Sequence, residues 1–180
     1  PAFQPETGSD YIRLTTHNRM AESYNEEQLR NLPSKACTFR AETDGNFPEY
    51  SYPADFNLTL KKGAQVMFIR NDNNGRYYNG RIGHVTYVDS SKIVVLCPGD
   101  DEAIEVEAET WENTKYTLNE RTKQIEAEVQ GTFRQYPLRL AWAITIHKSQ
   151  GLTFEHAIID AQAAFASGQV YVALSRCKTL

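Results

Sequence analysis

The sequence contains few cysteines and no long hydrophobic run. Its three cysteines, Cys37, Cys97 and Cys177, are not spaced as metal ligands, and their odd number does not suggest a disulfide framework. No apolar stretch approaches the ~18 residues that a membrane-spanning helix requires. A formal net charge of −4 argues against a uniformly basic protein that coats nucleic acid. These absences predict an intracellular protein in a reducing compartment, without a membrane partner.

The sequence also lacks two segments that a complete nucleoside-triphosphate site needs. No GxxxxGK[ST] phosphate loop occurs in the 180 residues, and the nearest string, KKGAQ at residues 61–65, has the wrong order and spacing. No apolar strand pattern ends in an Asp-Glu pair, because Asp101 and Glu102 follow Pro98 and Gly99 in a turn. Nothing is therefore available to cradle the β- and γ-phosphates or to hold Mg²⁺. We predict that the chain alone binds neither ATP nor Mg²⁺ tightly and contains no metal ligands.

Both ends of the sequence show strand and helix patterns. Residues 11–16 are rich in β-forming side chains, which predicts a strand, and residues 19–31 place Met20 and Tyr24 on one side of a predicted helix. Residues 34–57, with five aromatics and with Gly45, Pro48 and Pro53, predict a long loop packed onto the body. Towards the other end the patterns predict a buried strand, a second strand and a helix, at residues 138–144, 156–161 and 168–176.

The middle of the chain has a different pattern, which starts at Leu58. Short strand-like segments alternate with turn-forming strings such as NDNNG, DSS and PGDD. Five or more short strands within about 75 residues predict a small antiparallel β-barrel. We therefore predict an α/β fold in which residues 1–57 and 135–180 form one discontinuous domain and residues 58–134 form an inserted barrel. The predicted barrel strands cover residues 64–70, 81–88, 92–97, 103–108 and 124–134.

Charge is divided unevenly within the predicted barrel. Residues 58–96 carry six cations against two anions, whereas residues 100–128 carry ten carboxylates against three cations. The string RYYNGR at residues 76–81 mixes cations with aromatic rings, a combination that grips single-stranded nucleic acid. This pattern predicts DNA contacts by Asn79 and Arg81. Two solvated faces of opposite charge are an equally good interpretation.

The string LRLAWAITIHKSQG, at residues 138–151, is the most informative one. An apolar strand pattern ends there in a polar cluster, and in α/β sheets ligands bind at the carboxyl ends of strands. Thr145 can cap the following turn and leave backbone N–H groups free for a phosphate. Further donors follow, and Gly151 permits close approach of a ligand. A second string, GQVYVALSR at residues 168–176, ends in Arg176, which from this segment alone is as consistent with a surface arginine as with a site residue.

IHKSQGLTF followed by QVYVALSR resembles motifs V and VI of superfamily 1 helicases, in the branch of RecD-like and Pif-type DNA helicases. RLTTHNRMAESYNEEQL resembles their motif IV strand and helix. LKKGAQVMFIRND with RYYNGRIGHV is similar to the segment that they place between motifs IV and V. The resemblance implies a RecA-like second motor domain with an inserted SH3-like β-barrel. It also implies the C-terminal portion of an ATP-dependent 5′–3′ DNA helicase that serves repair or recombination, nucleoid-associated if bacterial, whose N-terminal motor domain carries the phosphate loop.

The resemblance further implies roles for individual residues. Arg176 would reach the γ-phosphate of an ATP molecule bound, with Mg²⁺, mainly by the other motor domain, and would act in catalysis. Gln150 and Gly151 would lie on the nucleotide side of motif V. The UvrD-like branch has a glutamate near Thr153 that holds the ribose, so no ribose contact is implied here. Contacts to single-stranded DNA would come from Thr16, His17, Asn18, Thr145, His147, Lys148 and Ser149.

Two other functions are compatible with parts of the sequence. A non-catalytic module that binds nucleic acid or protein through the barrel would account for residues 61–87, but it leaves the strings at 145–151 and 172–176 unexplained. An independent hydrolase would use His147 and Ser149. These two residues are two positions apart, which directs them to different sides of a helix, and no orienting carboxylate is evident nearby.

Overall fold

The computed structural model describes residues 11–118, 124–159 and 167–177. Thirteen strands and two α-helices lie within these ranges, together with a 3₁₀ helix at Glu49–Ser51. In chain order the elements are β1 (Ile12–Thr15), α1 (Asn18–Asn31), β2 (Cys37–Arg40), β3 (Glu42–Gly45), β4 (Asn57–Leu60), β5 (Gln65–Phe68), β6 (Ile82–Val88), β7 (Ile93–Leu96), β8 (Ile104–Val106), β9 (Glu109–Leu118), β10 (Ile125–Gln135), β11 (Leu138–Leu140), β12 (Ala143–Thr145), β13 (Ala157–Ile159) and α2 (Ser167–Leu174).

The two ends of the chain meet in a three-stranded parallel sheet of order β12-β1-β13. In its central strand, Ile12 and Leu14 are fully buried on one face, and Thr15 is 3% exposed on the other. Helix α1 packs against β12 and β1. This arrangement confirms the predicted α/β class, the first predicted strand and the helix that follows it. Neither of the described α-helices has the length and apolar character that crossing a bilayer requires.

Strands β5 to β8 form, together with β11, a five-stranded antiparallel sheet of order β11-β5-β6-β7-β8. Its core includes Phe68, Val85, Ile93 and Leu138, each at most 1% exposed. Within the part of the chain that the structure describes, β8 and β11 are the two edges of this sheet and no closed barrel is formed. The antiparallel strands are confirmed, whereas the SH3-like barrel is not. The predicted domain boundaries stay predictions.

The prediction of a long loop over residues 34–57 was wrong. Strand β2 pairs with β4, and β3 pairs with the far end of β10, which also pairs with β9. The missed strands β2 and β3 have only four residues each, and the partners of β3 lie more than 80 positions away, so local patterns do not reveal them. The backbones of β10 and of the residue after β3 approach each other closely at Gly131. A Cβ atom at this position would lie 2.6 Å from the carbonyl carbon of Asn46, so the pairing requires a glycine here. Four of the five aromatics of the segment, Phe39, Phe47, Tyr52 and Phe56, pack onto the body, as predicted, whereas Tyr50 is 93% exposed.

The predicted continuous strand over residues 138–144 is divided in two. Strand β11 pairs antiparallel with β5, whereas β12 pairs parallel with β1. The chain thus crosses from one sheet to the other at Ala141 and Trp142. The apolar alternation continues through the crossing, because Leu138 in β11 and Ile144 in β12 are both buried, so it could not mark the break. A smaller correction concerns Arg176, which lies two residues beyond the end of α2 instead of inside the helix.

We predict that Phe133→Ala lowers the free energy of unfolding by about 3–5 kcal/mol, the usual cost of removing a buried phenyl ring. Phe133 is 0% exposed and packs against Tyr52, Phe47 and Trp111, with ring centroids 4.6, 5.7 and 6.1 Å away. Urea-induced unfolding measures the change. The matched control is Tyr50→Ala, at a position 93% exposed, which should cost less than about 0.5 kcal/mol. Equal losses in the two variants would contradict this assignment of the core.

Candidate nucleic-acid interface

The parallel pairing of β1 and β12 brings two of the predicted site segments together. Both strands run in the same direction, and the backbone N–H of Ile146 donates to Thr15 O over 2.8 Å at their carboxyl ends. The segment that follows β1 contains Thr16, His17 and Asn18, and the segment that follows β12 contains residues 146–151. The structure thus places these two segments side by side at one edge of the sheet.

The segment after β12 is a tight turn capped by Thr145. The Thr145 hydroxyl accepts a hydrogen bond from the Lys148 backbone N–H over 3.3 Å, as predicted. The side chains of His147 and Lys148 are exposed beyond the cap. Ser149 is different, because its side chain is fully buried and its hydroxyl donates to Ile146 O over 2.7 Å. The DNA contact predicted for Ser149 stays a prediction that this arrangement does not support.

Helix α1 begins at the same edge. His17 precedes its first residue in an extended conformation, and the Thr16 hydroxyl and His17 Nδ1 are 2.8 Å apart. The first turn of a helix presents backbone N–H groups without partners in the helix, which favour an anion. Exposed Asn18 belongs to that turn. A cleft of about 420 Å³ adjoins this edge, and Asn18, Thr145 and Lys148 line it at one end.

The remaining predicted DNA residues lie at a separate cleft of about 360 Å³. Asn79 and Arg81 line it together with Gly151, which has a φ of 80°. Arg81 donates to Asp100 Oδ1 over 2.6 Å and to Arg76 O over 2.8 Å, so part of its donor capacity is used within the protein. The structure therefore brings Asn79 and Arg81 to the far end of the 145–151 turn, away from the cleft that contains Asn18.

The basic stretch at residues 58–96 and the acidic stretch at residues 100–128 do not form two separate charged faces. Three cations of the basic stretch pair with carboxylates of the acidic stretch, in the ion pairs Arg70–Glu109, Arg81–Asp100 and Lys92–Glu105. Folding of β8 and the start of β9 beside the earlier strands creates these pairs. The positive surface offered by this sheet is consequently smaller than the sequence count suggests.

Arg176 is half-buried and held by its own segment. Its Nε donates to Val172 O over 3.2 Å and its Nη2 donates to the Ser175 hydroxyl over 2.9 Å. Its backbone carbonyl accepts a hydrogen bond from Phe154 N over 2.7 Å. This last bond connects Arg176 to the chain that leaves the 145–151 turn. Gln150, at the end of that turn, is exposed.

Sequence reasoning missed the residue that shapes the loop before Asn79. Asp72 accepts hydrogen bonds from the backbone N–H groups of Asn74 and Arg76, at 3.1 and 3.0 Å, and from the Arg76 guanidinium at 2.9 and 3.0 Å. Its side chain is only 3% exposed. The Arg76 guanidinium lowers the pKa of Asp72 from 3.8 to about 2. The available signal was an aspartate at the start of the turn string DNNG.

Known helicases are similar to this chain over most of its length. Residues 140–180 match the UvrD-like helicase C-terminal domain family. The ATP-dependent DNA helicase PIF1 of Homo sapiens is 37% identical over 180 residues, which cover 93% of this chain and 26% of that protein. The chain spans between 26% and 40% of the length of the first curated relatives that it matches.

Solved structures show the same likeness. Unliganded Pif1 from Bacteroides sp. has a TM-score of 0.88 at 42% identity, over 96% of this chain and 39% of that one. Pif1 from Bacteroides in complex with ADP-AlF3 and ssDNA has a TM-score of 0.76 at 41% identity, over 98% and 40% of the two chains. These structures confirm the RecA-like motor fold that the motif strings implied.

We predict that Asp72→Asn destabilises the protein at neutral pH and that this penalty shrinks as the pH falls from about 4 to about 2. The folded pKa of Asp72 lies below the unfolded value, so the ionised carboxyl stabilises the fold above about pH 4 and loses that effect as it becomes protonated. Urea unfolding of both proteins at pH 7, 4 and 2.5 measures the difference. The exposed Asp101→Asn variant is the control. A penalty that is constant between pH 7 and 2.5 would contradict the assigned pKa.

Proposed function

We propose that this chain, which belongs to the Pif-type family of superfamily 1 helicases, contacts single-stranded DNA and completes an ATP site shared with a second motor domain. The observation that carries the proposal is the meeting of the β1 and β12 carboxyl ends. There the first turn of α1 and the capped turn at 145–151 present polar groups side by side. The function of the complete protein would be that of an ATP-dependent DNA helicase, located with the cellular DNA.

The proposed DNA contacts are phosphate contacts at the β1–β12 edge. Exposed His147 and Lys148 provide side-chain donors, and Asn18 adds the N-terminal turn of α1. Thr145 takes part by shaping the turn, because its hydroxyl caps Lys148 N. A Bacteroides Pif1 that is similar over 98% of this chain was solved with single-stranded DNA, which supports this ligand class. Thr16 and His17 complete the proposed contact set.

The proposed nucleotide contacts come from Arg176, Gln150 and Gly151. A guanidinium has five N–H donors, of which the described hydrogen bonds of Arg176 engage those on Nε and Nη2. It can therefore still donate to a terminal phosphate, and the complex of Bacteroides Pif1 with ADP-AlF3 supports a nucleotide ligand. No group of three or more His, Cys, Asp or Glu suited to a metal occurs among the residues that the structure describes. We assign Mg²⁺ and the phosphate loop to the other motor domain, as the resemblance to Pif-type helicases implies.

Asn79 and Arg81 are proposed to extend the DNA path at the second cleft. Exposed Tyr78 lies beside them, with the Arg81 guanidinium 5.8 Å from its ring centroid. An aromatic ring next to a cation can stack a base and hold a phosphate. Because Arg81 is paired with Asp100, a phosphate would have to compete with that carboxylate. We therefore expect this contact to contribute less to affinity than Lys148 does.

We predict that Arg176→Ala in the complete protein lowers the rate of ATP hydrolysis by about 10³-fold or more, since an arginine that stabilises the transferring phosphoryl group contributes on that order. Affinity for single-stranded DNA should change less than about threefold. Steady-state hydrolysis and fluorescence anisotropy measure the two quantities. The control is Arg134→Ala, at an exposed arginine paired with Glu42. Hydrolysis within a few-fold of wild type would show that the catalytic role of Arg176 is wrong.

We predict that Lys148→Ala weakens binding to single-stranded DNA and lowers the slope of log K against log salt by about 0.7, the contribution of one phosphate contact on a single strand. Titrations of the complete protein with an oligonucleotide at several salt concentrations measure the slope. Lys35→Ala removes an exposed lysine outside the proposed interface and should leave the slope unchanged. Equal slopes for wild type and Lys148→Ala would mean that Lys148 does not contact a phosphate.

A further inference from the structure

The crossing between the two sheets places a special demand on the backbone. Within residues 140–143 the chain leaves the antiparallel ladder with β5 and enters the parallel ladder with β1. Backbone N–H and C=O groups at such a crossing lose regular partners and need others, because leaving them unpaired in the interior is costly. Ala141 and Ala143 are both buried, at 0% and 1% exposure. Two amide side chains provide hydrogen bonds here.

The first amide is Asn25 of α1. Its Nδ2 donates to Ala143 O over 2.8 Å, and its Oδ1 accepts from Ala143 N over 2.8 Å. The same Nδ2 lies 3.5 Å from Leu140 O. To pair with both the backbone N–H and the C=O of one residue, a side chain needs an acceptor and a donor on the same short planar group. An amide has both, whereas a carboxylate has only acceptors. Asn25 thus fixes the first residue of β12 to the second turn of α1.

The second amide is Gln65 of β5, which is 1% exposed. Its Nε2 donates to Ala141 O over 2.9 Å and to Tyr11 O over 3.1 Å, and its backbone carbonyl accepts from Ala141 N over 3.0 Å. Tyr11 immediately precedes β1. Gln65 therefore connects the five-stranded sheet to the amino-terminal side of both β1 and β12. The residues that precede β1 and β12 are thus held by the same side chain.

We infer that Asn25 is a positioning residue for the DNA site, and this inference rests on the proposed function. The groups proposed to hold DNA lie on the two elements that Asn25 joins, with Asn18 at the start of α1 and Lys148 just after β12. A cleft of about 420 Å³, lined by Asn25 and Ala143, separates parts of the same elements. Its volume leaves room for α1 to shift once the hydrogen bonds between Asn25 and Ala143 are lost. Asn25 thus sets the spacing of the phosphate contacts through the peptide of Ala143.

The test uses the complete protein with Asn25→Asp and Asn25→Ser. The aspartate keeps an acceptor for Ala143 N but places a carboxylate oxygen against Ala143 O, whereas the serine is too short to span the peptide. Measured quantities are the oligonucleotide concentration for half-maximal stimulation of ATP hydrolysis, the KM for ATP and the melting temperature. A misplacement of about 1 Å can lower a catalytic rate about 100-fold. We therefore expect a smaller shift to raise the half-maximal oligonucleotide concentration by about five- to tenfold. The KM for ATP should stay within about twofold of wild type.

The controls separate positioning from general stability. Glu27→Ser, at an exposed position of the same helix, should leave both constants unchanged. The double variant Asn25→Asp with Lys148→Ala should raise the half-maximal oligonucleotide concentration by less than the product of the two single increases, because both substitutions act on one contact. A product of independent effects, an unchanged half-maximal concentration, or unfolding of both Asn25 variants would overturn the inference. If wild type shows no stimulation by DNA at all, the proposed function itself fails, and that outcome is distinguishable from the others.

Discussion

The fold depends on satisfying the backbone where the chain passes from the antiparallel sheet to the parallel one. Residues 140–143 make this passage in the interior, and the side chains of Asn25 and Gln65 complete the pairing. This arrangement lets β12 leave the sheet of β5 and lie parallel to β1. Because β12 and β1 are parallel neighbours, the polar segments that follow them meet at one edge. The proposed interface is therefore a consequence of the crossing.

The elements predicted correctly from sequence are those determined by local pattern. Helix α1 follows from the spacing of its side chains, and the Thr145 cap follows from a hydroxyl at the end of an apolar strand. The break in the strand at Ala141 was not predictable, since both halves are buried and the apolar alternation passes through it unchanged.

The features that could not be predicted depend on partners distant in sequence. Strand β3 exists because of its pairing with β10, and four residues carry too little local signal to indicate it. The ion pair between Arg81 and Asp100 likewise forms only when β6 lies beside the turn that precedes β8. Counting charges along the chain overestimated the positive surface for this reason. The cations proposed for DNA binding are accordingly few, namely Lys148 after β12 and Arg81 before β6.

The proposed function requires both this chain and a second motor domain. In the proposed function, this chain contributes phosphate contacts at the β1–β12 edge and the guanidinium of Arg176. The backbone carbonyl of Arg176 accepts a hydrogen bond from Phe154 N, which connects Arg176 to the chain that leaves the 145–151 turn. The most direct test is a structure of the complete protein with single-stranded DNA and an ADP–aluminium fluoride complex. The account predicts that Lys148 and the first turn of α1 contact DNA phosphates and that Arg176 donates to the fluoride. DNA bound along another surface, with Arg176 turned away from the nucleotide, would contradict it.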